Sequence, residues 1–134
     1  MLTATPPKFP HRRRRARRKR PVPAPPVAPL TLTAAELFAD DQYIVLTFDR
    51  AVDISAIDTT AIFVRDGFFT LYQYYGTPGG ATLESPTSVK LLLTIYSAWS
   101  DGEVRLIASD ATGIVASGDG AAWAGAADLA LPYP

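Results

Sequence analysis

The basic residues of this chain are concentrated at its beginning, and this feature limits the possible folds more than any other. Nine of the 13 Lys and Arg residues lie within residues 1–30, which contain no Asp or Glu. Residues 31–134 hold the other four basic residues and all 13 acidic ones, so a segment of charge +9 precedes one of charge −9. Eight of the 12 prolines also lie in residues 1–30. We therefore predict two parts, a basic and proline-rich arm (residues 1–30) and one domain (residues 31–134).

The arm has the composition of a disordered, polyanion-binding segment. Its like charges repel one another, and few apolar side chains offset the entropy of ordering. Pro21–Pro29 favours polyproline II at ~3.1 Å per residue, which would hold the basic block away from the domain. Arg outnumbers Lys by seven to two, and guanidinium binds phosphate bidentately. The residues predicted to bind nucleic acid or another polyanion are Lys8, Arg12, Arg13, Arg14, Arg15, Arg17, Arg18, Lys19 and Arg20.

Other interpretations of the arm stay open on composition alone. No aromatic residue lies among the arginines, so binding should be directed at the phosphate backbone and should depend strongly on salt. The arm is also consistent with a solubilising tail, with a segment that folds back on the acidic domain, or with an import or membrane-surface address. Association of arms with the domains of other copies is a further alternative.

The composition argues against several classes of site. The chain has no Cys, which excludes disulfides and cysteine nucleophiles, and its single histidine, His11, lies in the arm. A Ser-His-Asp triad or a histidine-bound zinc is therefore not expected. No apolar run reaches the ~20 residues of a membrane span. Five prolines in the ten residues after Arg20 oppose a signal peptide. We expect a non-enzyme without a cofactor.

The domain shows the period-2 alternation of β-strands. Asp66-Gly67 predicts a hairpin turn, residues 76–80 a loop, and Ile54–Asp58 a short helical turn. For Leu30–Phe38 we prefer a strand, although Thr33 and Glu36 also match a helical capping box. The predicted strands are Leu30–Phe38, Tyr43–Phe48, Thr60–Arg65, Phe68–Tyr75, Ser88–Tyr96, Glu103–Ala108 and one within Ala121–Leu131.

Seven short strands in ~100 residues predict an all-β fold, a single immunoglobulin-like β-sandwich preceded by a disordered arm. Ser88–Tyr96 is the most apolar strand and is expected to be central. The expected core residues are Leu46, Phe48, Ile62, Val64, Leu91, Leu93, Val104, Leu106 and either Trp99 or Trp123.

Four segments occur in an order that resembles a known family. They are Leu46-Thr-Phe-Asp-Arg-Ala-Val-Asp53, Ala61-Ile-Phe-Val-Arg-Asp-Gly67, Val89-Lys-Leu-Leu-Leu-Thr94 and Gly102-Glu-Val-Arg-Leu106. This pattern resembles the bacterial and phage immunoglobulin-like modules and spans about residues 31–128. The resemblance implies the sandwich fold and a role as a spacer, adhesin or virion surface domain. The arm is similar in composition to the basic N-terminal arms of viral coat proteins.

Residues 68–75 hold five of the chain's 14 aromatic residues. In a strand, Phe68, Tyr72 and Tyr74 share one face, and we predict that this face is the exposed one and forms an interaction surface. The alternative is a strand covered by a loop of the same domain. The acidic residues lie mostly at turns, where Asp is favoured by local hydrogen bonds, although paired carboxylates can also bind Ca²⁺ or hydrolyse glycosides.

These observations favour a non-enzymatic structural or binding protein. The most concrete version is a phage virion accessory protein of the decoration type, anchored to nucleic acid or another polyanionic surface by its arm. The alternative is a cell-surface or secreted adhesion or glycan-binding module that uses the aromatic strand. In either case a protein partner or self-assembly through the sandwich is expected, with no small-molecule substrate.

Overall fold

The computed structural model describes residues 27–67, 72–95, 99 and 103–132. Nine strands form within these ranges, and Thr59–Ala61 forms a short 3-10 helix. The strands are β1 (Leu32–Phe38), β2 (Tyr43–Phe48), β3 (Val52–Asp53), β4 (Ile62–Asp66), β5 (Tyr72–Ser85), β6 (Ser88–Leu93), β7 (Val104–Ala108), β8 (Val115–Ala116) and β9 (Ala126–Leu131).

Seven of these strands form one antiparallel sheet that folds over on itself. Its order is β1-β2-β6-β5-β4-β7-β9, and β3 pairs separately with β8. The long strand β5 belongs to both halves, because Tyr72–Tyr75 pairs with β4 whereas Gly76 and the residues after it pair with β6. The half-sheets β1-β2-β6-β5 and β5-β4-β7-β9 have the strand order of an immunoglobulin-type sandwich. The predicted all-β, immunoglobulin-like fold is therefore confirmed.

The core lies between the two half-sheets. Buried residues alternate with partly exposed ones along β2, β4 and β7, as expected for strands with one face on a core. Trp123 is buried and packs edge-on against Phe48 at a centroid distance of 5.3 Å. Trp99, partly buried, packs edge-on against Tyr74 at 4.9 Å and donates its indole N–H to the Ala39 carbonyl at 3.1 Å. The predicted core residues are all buried: Leu46, Phe48, Ile62, Val64, Leu91, Leu93, Val104 and Leu106.

The glycine-rich segment predicted as a loop is instead the part of β5 that passes from one half-sheet to the other. Between Gly76 and Ala81 the register with β6 shifts, and Gly79 has a φ of 74°. A Cβ on Gly76 would lie 2.5 Å from the Thr59 carbonyl oxygen, so this backbone passes too close to its neighbour for any other residue. The prediction failed because a loop and a bulged, bending strand both require glycine.

The structure decides three local predictions near β1 and β4. Glu36 lies within β1, so the capping-box alternative is wrong. Asp66 is buried and is the last paired residue of β4, opposite Tyr72, so Asp66-Gly67 is not a two-residue hairpin turn. Residues 54–57 form a single turn, in which the Ile57 N–H donates to the Ile54 carbonyl at 3.1 Å, and the short helix follows at Thr59–Ala61, where the Asp58 carboxylate accepts from the Thr60 N–H.

Candidate functional site

The junction between the arm and the sandwich is the functional region that the structure describes best. The nine basic residues predicted to bind a polyanion, Lys8 to Arg20, lie outside the described residues. The described chain begins at Val27 and enters the domain at Leu30, which is buried and forms a bridge with Trp123. The residues just before Leu30 therefore determine where the arm leaves the domain.

Arg50 holds this exit point in place. Its Nη2 donates to the Ala28 carbonyl at 2.6 Å, and its Nη1 donates to the Pro29 carbonyl at 3.3 Å. Ala28 and Pro29 lie outside the strands, so the guanidinium binds main-chain carbonyls that are not part of the sheet; the Pro29 carbonyl also accepts from the Thr31 hydroxyl at 3.4 Å. The arm is thereby fastened to the domain through its main chain.

Two carboxylates position the Arg50 guanidinium. Asp49 Oδ2 lies 3.1 Å from Nη1, and Asp119 Oδ2 lies 3.2 Å from Nε. Asp49 also exchanges hydrogen bonds with Thr31, accepting from its N–H at 3.2 Å and donating its own N–H to the Thr31 carbonyl at 2.9 Å. One arginine thus connects the arm, the end of β2 and the turn after β8. No sequence pattern marks Arg50 as a functional residue, although it is one of only four basic residues beyond the arm.

The Asp119 carboxylate has a lowered pKa, mainly because it accepts the Ala121 N–H and further because Arg50 is adjacent. Because this pKa is lowered, the Asp119 carboxylate adds to the free energy of unfolding, and this addition is complete above the pKa of an unfolded aspartate. The contribution is lost as the pH falls through the lower, folded-state value. The contribution of Asp119 to this corner of the domain should therefore be lost only in acid.

We expect Arg50→Gln to raise the Asp119 pKa part of the way toward its ordinary value, because the Ala121 hydrogen bond remains. The measurement is an NMR pH titration of the aspartate side chains. Arg65→Gln is the matched control, since Arg65 pairs with Asp128 at 3.4 Å and does not contact Asp119. An Asp119 midpoint that is identical in the wild type and in Arg50→Gln would contradict this description of the junction.

The predicted interaction surface on the aromatic strand is partly wrong. Tyr74 is fully buried, opposite the buried Val64 in β4, and it packs against Trp99. Tyr72 is half-buried, and Phe68 lies outside the described residues. The residue that faces outward is Tyr75, which is 41% exposed. The prediction that successive side chains of this strand point to opposite faces was correct, but the wrong face was assigned to solvent. Tyrosine is amphipathic, so either face could have entered the core.

Tyr75 belongs to a row of apolar side chains across the outer face of the β5-β4-β7 half-sheet. Phe63 lies opposite Tyr75 on one side and opposite Ile107 on the other. The Tyr75 and Phe63 rings are 5.0 Å apart, and the Tyr75 hydroxyl donates to the Gln73 side chain at 3.1 Å. Phe63 and Ile107 could have been found from the period-2 pattern, once the face of either strand was known.

Beside this row, two arginines face each other across adjacent strands. Arg65 and Arg105 are opposite in register, an arrangement that is unfavourable for like charges without a counter-ion. Asp128 of β9 lies 3.4 Å from Arg65 and 3.8 Å from Arg105, and Glu103 pairs with Arg105 and raises its pKa. The outer face therefore carries an aromatic row next to a charge-balanced cluster.

The remaining acidic residues act mainly in local turns. The Asp53 carboxylate accepts the Ser55 N–H at 2.8 Å, which lowers its pKa, and Asp58 caps the short helix. Within the ranges that the structure describes, no three His, Cys, Asp or Glu side chains are grouped closely enough to hold a metal ion. Over the same ranges, no helix has the length and hydrophobicity that a membrane crossing needs.

Comparison with known proteins adds no relative. No protein-family model matches the chain, and searches of curated proteins and of solved structures find no match either. The resemblance to phage and bacterial immunoglobulin-like modules therefore stays a prediction.

Proposed function

We propose that this is a non-enzymatic, two-part structural protein whose sandwich presents a basic arm to nucleic acid or another polyanion. The observation that carries the proposal is the separation of charge, nine positive in the arm and a net nine negative in the domain. An acidic domain repels a polyanion, so the arm has to supply the attraction. The Arg50 contacts with Ala28 and Pro29 support the proposal, because they would transmit an attachment made by the arm to the domain.

The virion version of this proposal comes from the sequence resemblance and from the similarity of the arm to those of viral coat proteins. A decorating protein needs a compact outer domain and an inward-reaching anchor. A single sandwich domain would suit the first role, and the composition of residues 8–20 would suit the second.

One observation favours the second candidate, an adhesion or glycan-binding module. The outer face carries Tyr75 and Phe63 in contact, beside Arg65, and exposed aromatic rings with neighbouring polar groups suit a sugar or protein ligand. In this case the domain alone would bind, and the arm would be dispensable.

A titration with duplex DNA at several salt concentrations tests the proposal. We expect log K to fall with log salt by about 0.9 for each phosphate that the arm neutralises. Replacing Arg12, Arg13, Arg14 and Arg15 with Gln should make the slope shallower by roughly 3–4, since four counter-ion-releasing contacts are removed. The control replaces Arg65 and Arg105 of the domain with Gln and should leave the slope unchanged. Equal slopes for the arm variant and the wild type, or no binding at low salt, would contradict the proposal.

A further inference from the structure

The two edge strands of the sheet leave an open groove between them. β1 and β9 stand at the two ends of the strand order, and among the described residues neither has a hydrogen-bonded strand on its outer side. On the opposite side of the sandwich, β5 passes continuously from one half-sheet to the other. The groove has a volume of about 450 Å³ and is mostly apolar; its larger lining side chains are Leu30, Leu32, Trp123 and Leu129.

β9 is the more accessible of the two edges. Residues 127–130 are all exposed, and Leu129, which lines the groove, is 40% exposed. An edge strand with free N–H and C=O groups beside an apolar groove is the arrangement that binds an added strand by β-augmentation. The added strand would need apolar side chains and main-chain donors along one side.

Residues 21–25 of the arm have this pattern. In the sequence Pro21-Val22-Pro23-Ala24-Pro25, every second residue has an N–H. In an extended strand the N–H groups of Val22 and Ala24 point to the same side, and the three prolines take the positions whose N–H would point away. Such a segment can pair with an edge on one side only, and it ends the sheet there. We infer that residues 21–25 of a second copy of this chain pair with β9 in the β1–β9 groove.

A second copy fits this groove better than the same chain does. To reach its own groove the arm would have to fold back in a hairpin just before Leu30, which forms a parallel bridge with Trp123 beside the groove. The carbonyls of Ala28 and Pro29, which such a hairpin would use, are already bound by Arg50. The charges also favour pairing between two copies, since the +9 arm of one copy would lie against the −9 domain of the other.

The pairing of residues 21–25 with β9 of another copy does not depend on polyanion binding. The basic block of residues 11–20 lies upstream of the docked segment and stays available to a polyanion. Self-association without DNA binding, or DNA binding by a monomer, would therefore separate the two proposals.

Sedimentation velocity of the full chain over a range of concentrations tests the inference, in 0.15 M and 0.5 M NaCl. We expect association at both salt concentrations. Replacing Val22 and Ala24 together with Pro removes both main-chain donors without changing any charge, and it should weaken association by roughly 10–30-fold. The matched control replaces Pro23 and Pro25 with Ala, which leaves both donors in place, and it should associate within a few-fold of the wild type.

A second pair of variants tests the groove itself. Leu129→Lys places a positive charge in the groove, where it should repel the arm and weaken association. Leu83→Lys changes a leucine that is 46% exposed in β5, away from the groove, and it should have no effect. The inference is wrong if the chain is monomeric at both salt concentrations, or if association disappears in 0.5 M NaCl. It is also wrong if the Val22/Ala24 variant associates as the wild type does, or if the Leu83 variant weakens association as much as the Leu129 variant.

Discussion

Replacing Tyr74 with Ala should destabilise the domain by roughly 3–5 kcal/mol, the usual cost of removing a large buried aromatic side chain. Tyr74 is fully buried, its ring is 4.9 Å from Trp99, and it lies parallel to Tyr72 at 6.3 Å. Trp99 in turn donates to the Ala39 carbonyl in the β1–β2 turn. Removing the Tyr74 ring would therefore leave a cavity where β5, Trp99 and this turn meet.

Urea unfolding followed by tryptophan fluorescence measures this loss, and two variants make it specific. Tyr74→Phe keeps the ring and should lose less stability than Tyr74→Ala. Tyr75→Ala changes the neighbouring, outward-facing tyrosine and should cost about 1 kcal/mol or less, which is the value of its ring contact with Phe63. Equal losses for Tyr74→Ala and Tyr75→Ala would mean that the face of β5 has been assigned wrongly.

Gly113→Ala should be one of the most damaging glycine substitutions outside the strands. Gly113 has a φ of 78°, and a Cβ there would lie 2.1 Å from the Ala56 carbonyl oxygen. The loop cannot move away easily, because its neighbour Thr112 is buried and accepts the Asp58 N–H at 2.7 Å. We expect a loss of about 1–2 kcal/mol from the left-handed conformation. Forcing backbone atoms apart should cost roughly 1–3 kcal/mol more.

Gly120 separates these two contributions. It has nearly the same conformation, with a φ of 75°, but a Cβ there would meet no atom within 4 Å. Gly120→Ala should therefore cost only the conformational part, about 1–2 kcal/mol. The measurement is the free energy of unfolding of both variants in urea. If the two variants lose the same stability, the close approach of Gly113 to Ala56 is not a feature of the folded protein.

The fold could be predicted because the residue pattern of a strand lies within a few consecutive positions of the sequence. In β6 the buried Val89 and Leu91 alternate with Ser88 and Lys90, so the face of this strand and its place on the core follow from the residues themselves. The charge boundary near residue 30 is equally local. The buried Tyr74 and the exposed Tyr75 were not predictable in this way, because the choice between them depends on the register with Val64, a residue ten positions away.

The junction and the groove were missed for a related reason. Arg50 is useful only because the Ala28 and Pro29 carbonyls, more than 20 residues earlier in the chain, come within reach of it. The groove exists because β1 and β9, from opposite ends of the domain, become the two edges of one sheet. Neither arrangement leaves a signal in composition or periodicity.

The most direct test of the division between a binding arm and a carrier domain is an NMR titration of the full chain with a short duplex DNA. We expect amide shifts at residues 8–20, reversed by salt, with the amides of Phe63, Tyr75 and Ile107 unchanged. Shifts confined to the face formed by Phe63, Tyr75 and Ile107, with the arm amides unmoved, would contradict the proposal that the arm makes the attachment.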